Sequence, residues 1–522
     1  MTLKQAESSA EVEGKLSALV TNANAIRAVS NAVEGTIGPK GLDTMLVDRF
    51  GEVIITNDGV TILDKMEVDH PAARLLIHIA KAQQAEIGDG TTTATIMAAA
   101  LVTEGLDQVI RGVPVTKVIE GIKFGIAEAL AAIKANGRQV EHLNDRMLKN
   151  IAIVAGREYG DIANLVIEAA NLIGKEKLCE SHFKLSDIIS SQECAENQVF
   201  MGVVIHKQRM STEMPKHFHN AKVLSIDDAL QCEEISSEAL GTEAGFQKYM
   251  DLQNEFKVNV QKIIDLKVNV VLVDRNVSEV AEEMFTDAGI MVLRRVEHME
   301  LERVAEHVGA RLIKRTGIKK ANSDIEKYIG YASEVYEDER LKQVRILGGK
   351  GKPMATVLVG AATKEVAGER ERIAKDAASS VQATVKGGYI SGGGSIEIAV
   401  ARQVQTMRQT TKGMSAYGTD CVVHALKRPL SQIVENAGFN QLEKVEEVIS
   451  AQIEHKCNTL GIDCDTGKVV DMLELGVVDP MLVKYHAIKA AGEVAVAILR
   501  IDKIIRKVAE GSADKVVPMP DI

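Results

Sequence analysis

The residues best suited to chemistry lie in one short turn, Gly88-Asp89-Gly90-Thr91-Thr92-Thr93. Two glycines flank an acid, so the backbone can take positive φ and present consecutive N–H groups, and three threonines follow where a helix should begin. Such a turn suits anionic oxygens. A helix N-terminus carries partial positive charge, and the Asp89 carboxylate beside it could hold a divalent cation that bridges phosphates. Taken alone, the stretch fits a plain capped turn equally well. Two further turns tilt the balance: Thr36-Ile37-Gly38-Pro39-Lys40-Gly41 and Asn57-Asp58-Gly59-Val60-Thr61 also join glycine to a charged residue. Three such turns so close together favour a nucleotide over punctuation.

The elements that must position these turns follow from periodicity. A helix is expected from about Glu11 to Val33, with Leu16, Leu19, Ala23, Ile26 and Val29 on one face. A hairpin around Gly51 is expected from Met45-Leu46-Val47 and Glu52-Val53-Ile54-Ile55. Helices continue through Pro114 to Ala135 and from Met147 to Ile173, the latter interrupted at Gly156-Arg157-Glu158-Tyr159-Gly160. From Gly202 the character changes. Short apolar runs at 203–205, 223–226, 270–273, 290–293 and 311–313 predict strands, the last three alternating with helices from Ser278 and His298. This middle region holds no G-x-G-x-x-G, so a dinucleotide reading of it is weak. Between its strands, Phe246, Tyr249, Met250, Phe256, Val260 and Ile263 recur at helical intervals, by default the buried face of a core helix.

Composition narrows the function. A length of 522 residues favours several domains, and 46% hydrophobic with 26% charged residues describes a well-cored soluble chain. The formal net charge of -11 argues against a nucleic-acid partner or an anionic membrane surface. Six cysteines without a C-x-x-C pair suit reduced thiols and a cytoplasmic location, not a disulfide framework or a zinc cage. Gly348-Gly349-Lys350-Gly351-Lys352 lacks Walker A spacing and reads as a lysine-rich surface turn. His217 and His219 could ligate a metal from one strand face, but the sequence places no acid or cysteine beside them, which favours a plain surface role. No hydrolase or zinc-protease signature occurs.

Taken together, Thr36–Gly41, Asn57–Leu63, Gly88–Thr93, Gly392-Gly393-Gly394 and Gly476-Val477-Val478-Asp479-Pro480 resemble the chaperonin family in order and spacing over essentially the whole chain. The phrasing around Asp69–Ala73 and Ala288–Val296 resembles the group II, thermosome-like branch or its bacterial offshoot. The resemblance implies a multidomain α/β and α fold: a mostly helical equatorial domain, a small α/β intermediate domain, and an α/β apical domain with a helical protrusion. The expected boundaries are 1–143 and 397–522 for the equatorial domain, 144–205 and 356–396 for the intermediate domain, and 206–355 for the apical domain. The protrusion, at about 235–262, would be a built-in lid, which shifts Phe246, Tyr249 and Met250 from core towards lid or client contact.

The same resemblance implies an ATP hydrolase that folds proteins inside two stacked rings of this chain, eight subunits to a ring, with no separate lid co-chaperonin. By motif position, Asp89 would hold Mg2+, and Gly90, Thr91, Thr92 and Thr93 would take phosphate oxygens. Thr36, Ile37, Gly38 and Pro39 would wall the phosphates, and Asp58 and Asp376 would orient or deprotonate the attacking water. Gly393 would admit the nucleoside, Asp479 would accept from the ribose hydroxyls, and Asp463 and Cys464 would line the adenine. One feature departs from the pattern: the segment Ala155–Asp161 has no lysine to sense a γ-phosphate, leaving Arg157 as its substitute. The tail from Ser512 to Ile522 has none of the Gly-Gly-Met repeats of the bacterial group I proteins and does not suggest that branch. The rival reading is a soluble enzyme that spends Mg·ATP on a small molecule, with the middle region as substrate domain.

Overall fold

The computed structural model describes residues 10–13, 15–47, 49, 51, 53–233 and 242–507. The chain forms two compact units. The first joins its two ends, 1–155 and 379–522, and the second is the middle, 156–378.

The first unit is a helical body. Its long helices are Lys15–Glu34, Pro71–Ile87, Thr91–Ile110, Val115–Asn136, Ser395–Arg408, Ser415–Asn436 and Met481–Leu499. One apolar core runs through them, including Leu19, Ile26, Leu76, Met97, Leu101, Ile122, Val422, Leu426, Ala491 and Val494. Small residues set the closest approach. A Cβ on Gly121 would lie 1.9 Å from the Ser415 carbonyl oxygen, and one on Gly418 would lie 2.1 Å from that of Val118. The helices Val115–Asn136 and Ser415–Asn436 therefore touch backbone to backbone, a contact that only glycine permits.

Among the described residues, four two-stranded pairs decorate this body. The expected hairpin forms from Thr44–Val47 and Val53–Thr56. Tyr389–Ser391 pairs with Val478–Pro480, and Leu460–Ile462 with Val469–Asp471. The fourth corrects an expectation: Ala10–Glu13 is a strand paired with Ile504–Lys507, and the first helix begins only at Lys15. Its partner lies at the far end of the chain, so local periodicity could not reveal it. Among the described residues no helix is long and apolar enough to cross a membrane.

The second unit is built on one mixed eight-stranded sheet. Across it the strands run Ile189–Glu193, Ala355–Ala361, Gln198–Ile205, Gln343–Gly349, Gly330–Asp338, His217–Ile226, Val270–Val273 and Met291–Leu293. Val270–Val273 and Met291–Leu293 are buried at every position, as strands covered on both faces must be. Helices start where side chains can cap them: Ser278 Oγ accepts from Ala281 N, and Thr242 Oγ1 from Gly245 N. The run 311–313 does not make a strand. Only Ile313 bridges to Ile226, because Arg311 N donates to Tyr328 O and the chain turns into the helix Arg315–Ile318.

The helix Glu243–Asp265 divides along its length. Phe256, Val260 and Ile263 are buried in the sheet's core, whereas Phe246 and Met250, nearer its start, are exposed. The default reading as a core helix therefore holds for its second half alone. Residues 234–241, which begin the expected protrusion, lie outside the described residues.

Candidate nucleotide site

In the first unit the Asp89 turn is clamped between two helices. Gly88 ends Pro71–Ile87 at φ 81°, and Gly90 caps Thr91–Ile110 at φ 81°, so both need the left-handed conformation that glycine adopts freely. Cβ atoms there would collide as well, at 2.4 Å from Ser379 Cβ for Gly88 and 2.6 Å from Val483 Cγ1 for Gly90. Gln83 Nε2 holds the Asp89 carbonyl oxygen at 2.9 Å. The Asp89 carboxylate accepts from Gly90 N at 2.6 Å and from Ser380 Oγ at 3.0 Å. Burial pushes its pKa above the ordinary aspartate value, and the nearby Asp479 carboxylate pushes the same way against its hydrogen bonds and Lys484. Two acids held together at a helix start form a place where added positive charge is favoured.

Asp479 comes from the strand Val478–Pro480, whose partner leads into the glycine triplet. A Cβ on Gly392 would stand 3.2 Å from the Asp479 carboxyl carbon, and one on Gly394 would stand 2.8 Å from Leu430 Cα. Lys484 Nζ joins Asp479 at 3.1 Å to the wholly buried Glu397 at 2.8 Å. Burial alone would lower the lysine pKa, but these two carboxylates outweigh it and raise it.

The other turns pack around this centre. Asp58 caps the helix Gly59–Lys65, accepting from Thr61 N at 3.0 Å and Thr61 Oγ1 at 2.6 Å. A Cβ on Gly59 would lie 2.4 Å from Thr92 Oγ1, so Asp58 sits beside the threonine turn. Thr36–Pro39 is fixed by Asn436, whose Nδ2 donates to Glu34 O and Ile37 O at 2.9 Å each. Lys40 reaches Asp465 at 2.5 Å, linking that turn to the hairpin bearing Asp463 and Cys464. Gly461 in turn abuts Met472 and Ser395, which borders the glycine triplet.

The remaining acid of the expected set is Asp376. It stands on the helix Lys364–Gly387, in the part belonging to the second unit, where Arg372 Nη1 contacts it at 3.0 Å. Arg372 also bonds Glu369 at 2.6 Å, and Glu369 meets Arg157 at 3.2 Å. Arg157 and the next residue, Glu158, both take left-handed φ, 50° and 64°. This is uncommon for residues with a Cβ and marks a loop held by its surroundings.

Residues 29–509 match the model of the TCP-1/cpn60 chaperonin family. The chain belongs to that family. It is 32% identical over 504 residues to the thermosome subunit of Pyrococcus horikoshii, covering 93% of this chain and 90% of that one. It is 33% identical over 504 residues to the thermosome subunit beta of Archaeoglobus fulgidus, covering 93% and 91%. Among solved structures it resembles a group III chaperonin in the open state, with TM-score 0.88 and 43% identity over 94% of this chain and 99% of that chain. This chaperonin therefore has the multidomain α/β and α fold expected of it, and its family supports a role as a protein-folding chaperone.

Several residues of the site escaped the sequence reading. Gln83, Ser380, Lys484 and Asn436 each hold a predicted residue in place, and Glu397 in turn holds Lys484. One local signal existed for Lys484, a lysine on the apolar helix Met481–Leu499 that follows the Asp479 turn.

Proposed function

We propose that this chaperonin binds and hydrolyses Mg·ATP in the first unit and uses the cycle to close a lid over non-native protein inside a double ring. The supporting observation is the convergence of Asp89, Asp479 and the glycine triplet at the start of the helix Thr91–Ile110. That helix start offers its first N–H groups and threonine hydroxyls to phosphate. Asp89 fits a Mg2+ ligand, because its buried carboxylate is crowded by the second acid Asp479 more strongly than Lys484 offsets. Mg2+ there would neutralise phosphate charge.

The chain's own groups do the rest. Asp479 accepts from the ribose, Gly393 gives the nucleoside room, Thr36–Pro39 wall the phosphates, and Asp463 with Cys464 flanks the base. Asp58, beside Thr92, and Asp376 orient the attacking water or take its proton; the role of Asp376 rests on the family resemblance. Arg157 stands in for the missing lysine and communicates with Asp376 through Glu369 and Arg372.

We assign the equatorial domain to 1–143 and 397–522, the intermediate to 144–205 and 356–396, and the apical to 206–355, with the lid near 235–262. Exposed Phe246 and Met250 suit lid or client contact. The proposed particle is cytoplasmic, with eight copies to a ring and no separate co-chaperonin. Calorimetric titration with Mg·ATP tests the site. The intact protein should bind one nucleotide per subunit, and Asp89→Ala should weaken Mg·ATP far more than metal-free ATP. Equal loss for both would remove Asp89 from the metal's coordination.

A further inference from the structure

A cluster of metal-ligand type lies in the second unit, made of residues that the proposed function does not use. His217 and His219 are two apart on the strand His217–Ile226, so the pleat puts both on one face. The adjacent antiparallel strand pairs Glu334 with His219 and Tyr336 with His217, which brings both of those side chains to the same face. The acid that sequence spacing could not supply is therefore present, delivered by strand pairing.

The geometry is that of a nearly assembled site. His217 Nε2 and Glu334 Oε1 are 2.8 Å apart across a hydrogen bond. The two imidazoles stand with ring centroids 4.4 Å apart, tilted by 56°. One ligand atom from each of the three residues lies within 4.8 Å of the others. A tetrahedral ion with bonds of about 2.1 Å holds its ligand atoms about 3.4 Å apart, so small side-chain rotations close the remaining gap. The Tyr336 ring packs edge-on against His217 at 5.9 Å between centroids and limits how far that imidazole can swing. Two residues farther along, the same two strands continue as the buried pair Ala221 and Ala332.

We propose that His217, His219 and Glu334 form a binding site for a divalent first-row transition ion of the Zn2+ type. Two imidazoles and one carboxylate are the donor set that such ions prefer over Mg2+ or Ca2+, which take oxygen. The side chains of His217 and Glu334 are 45% and 35% exposed, so the ion would keep a coordination position facing solvent. That position is open to water or to a donor group on a bound protein. Binding replaces the Nε2–Oε1 hydrogen bond with bonds from both atoms to the metal, and a neutral His217 then carries its N–H on Nδ1.

The test is a Co2+ titration of the full-length protein in excess Mg2+, followed by visible d–d absorption and repeated with Zn2+ as competitor. The intact chain should take up one Co2+ per subunit with the absorption of a low-symmetry nitrogen- and oxygen-ligated ion, and Zn2+ should displace it. His219→Ala and Glu334→Gln should each weaken uptake by about tenfold or more. His182→Ala, at another exposed histidine, should not. All three substitutions fall on the surface, and unchanged thermal midpoints would show that the variants are folded. Co2+ uptake that is equal in the intact chain and in a His217→Ala, His219→Ala double variant would overturn the proposal. So would thiolate-type absorption, which would place the ion on cysteine.

Discussion

At the scale of single residues, the buried Asp89 carboxylate costs the fold stability once it is ionised. Burial and the neighbouring Asp479 hold its pKa above the unfolded value, so the folded chain binds the proton more tightly than the unfolded one. Between the two values stability therefore falls as pH rises, beginning near the ordinary aspartate value of about 3.9, and the loss is complete above the folded pKa. Asp89→Asn removes that charge and keeps an acceptor for Ser380. In the absence of nucleotide it should raise stability at neutral pH by about 0.5–2 kcal/mol, the range of other changes that relieve strain at functional sites. It should also flatten the acid limb of the stability profile and abolish Mg·ATP-dependent stabilisation. A thermal midpoint series against pH checks this, and an apo variant less stable than the parent at neutral pH would contradict it. The Lys484 pair follows the same sign in a far more alkaline window. Its raised pKa means that its contribution is complete below about 10.4 and is lost only as pH rises through the higher folded value.

At the scale of elements, backbone-to-backbone helix contact organises the first unit. A methyl on Gly418 would have to displace the Val118 carbonyl, so Gly418→Ala should cost about 1–3 kcal/mol and lower the midpoint of thermal unfolding. Gly368 offers the contrast, lying within the helix Lys364–Gly387 with nothing near its Cβ position. Gly368→Ala should stabilise by up to about 1 kcal/mol through helix propensity alone. Midpoints that moved the same way in both variants would refute the packing argument.

Elements also show what the sequence could carry. The Gly88–Thr93 turn and the hairpin around Gly51 were legible because their chemistry is local: glycines at positive φ and alternating apolar strands. The strand Ala10–Glu13 and the single bridge at Ile313 were not, since each is decided by a distant partner. The same reason hid the pairing of Lys484 with Glu397 and of Glu334 with His219, where residues remote in sequence meet through packed helices or adjacent strands. Within the site, the glycine-flanked turn marked Asp89, the family resemblance pointed to Asp479, and packing supplied the residues that hold them.

At the scale of the whole molecule, the chain folds as one unit made from both termini and one made from the middle, and the nucleotide-type turns lie in the former. A ligand shifts a conformational equilibrium only by its differential affinity for the two states, so a closing chamber requires that hydrolysis change how tightly the site holds its nucleotide. The account therefore ties assembly, hydrolysis and two acids together, and these should separate cleanly by mutation. Particle mass and steady-state ATPase measured on the intact protein, Asp58→Ala and Asp376→Ala test this most directly. The account predicts a double-ring particle of about a megadalton in all three, with ATPase falling by about 10²-fold or more in each variant while Mg·ATP still binds. A small oligomer, or two variants that hydrolyse ATP at the parent rate, would contradict it.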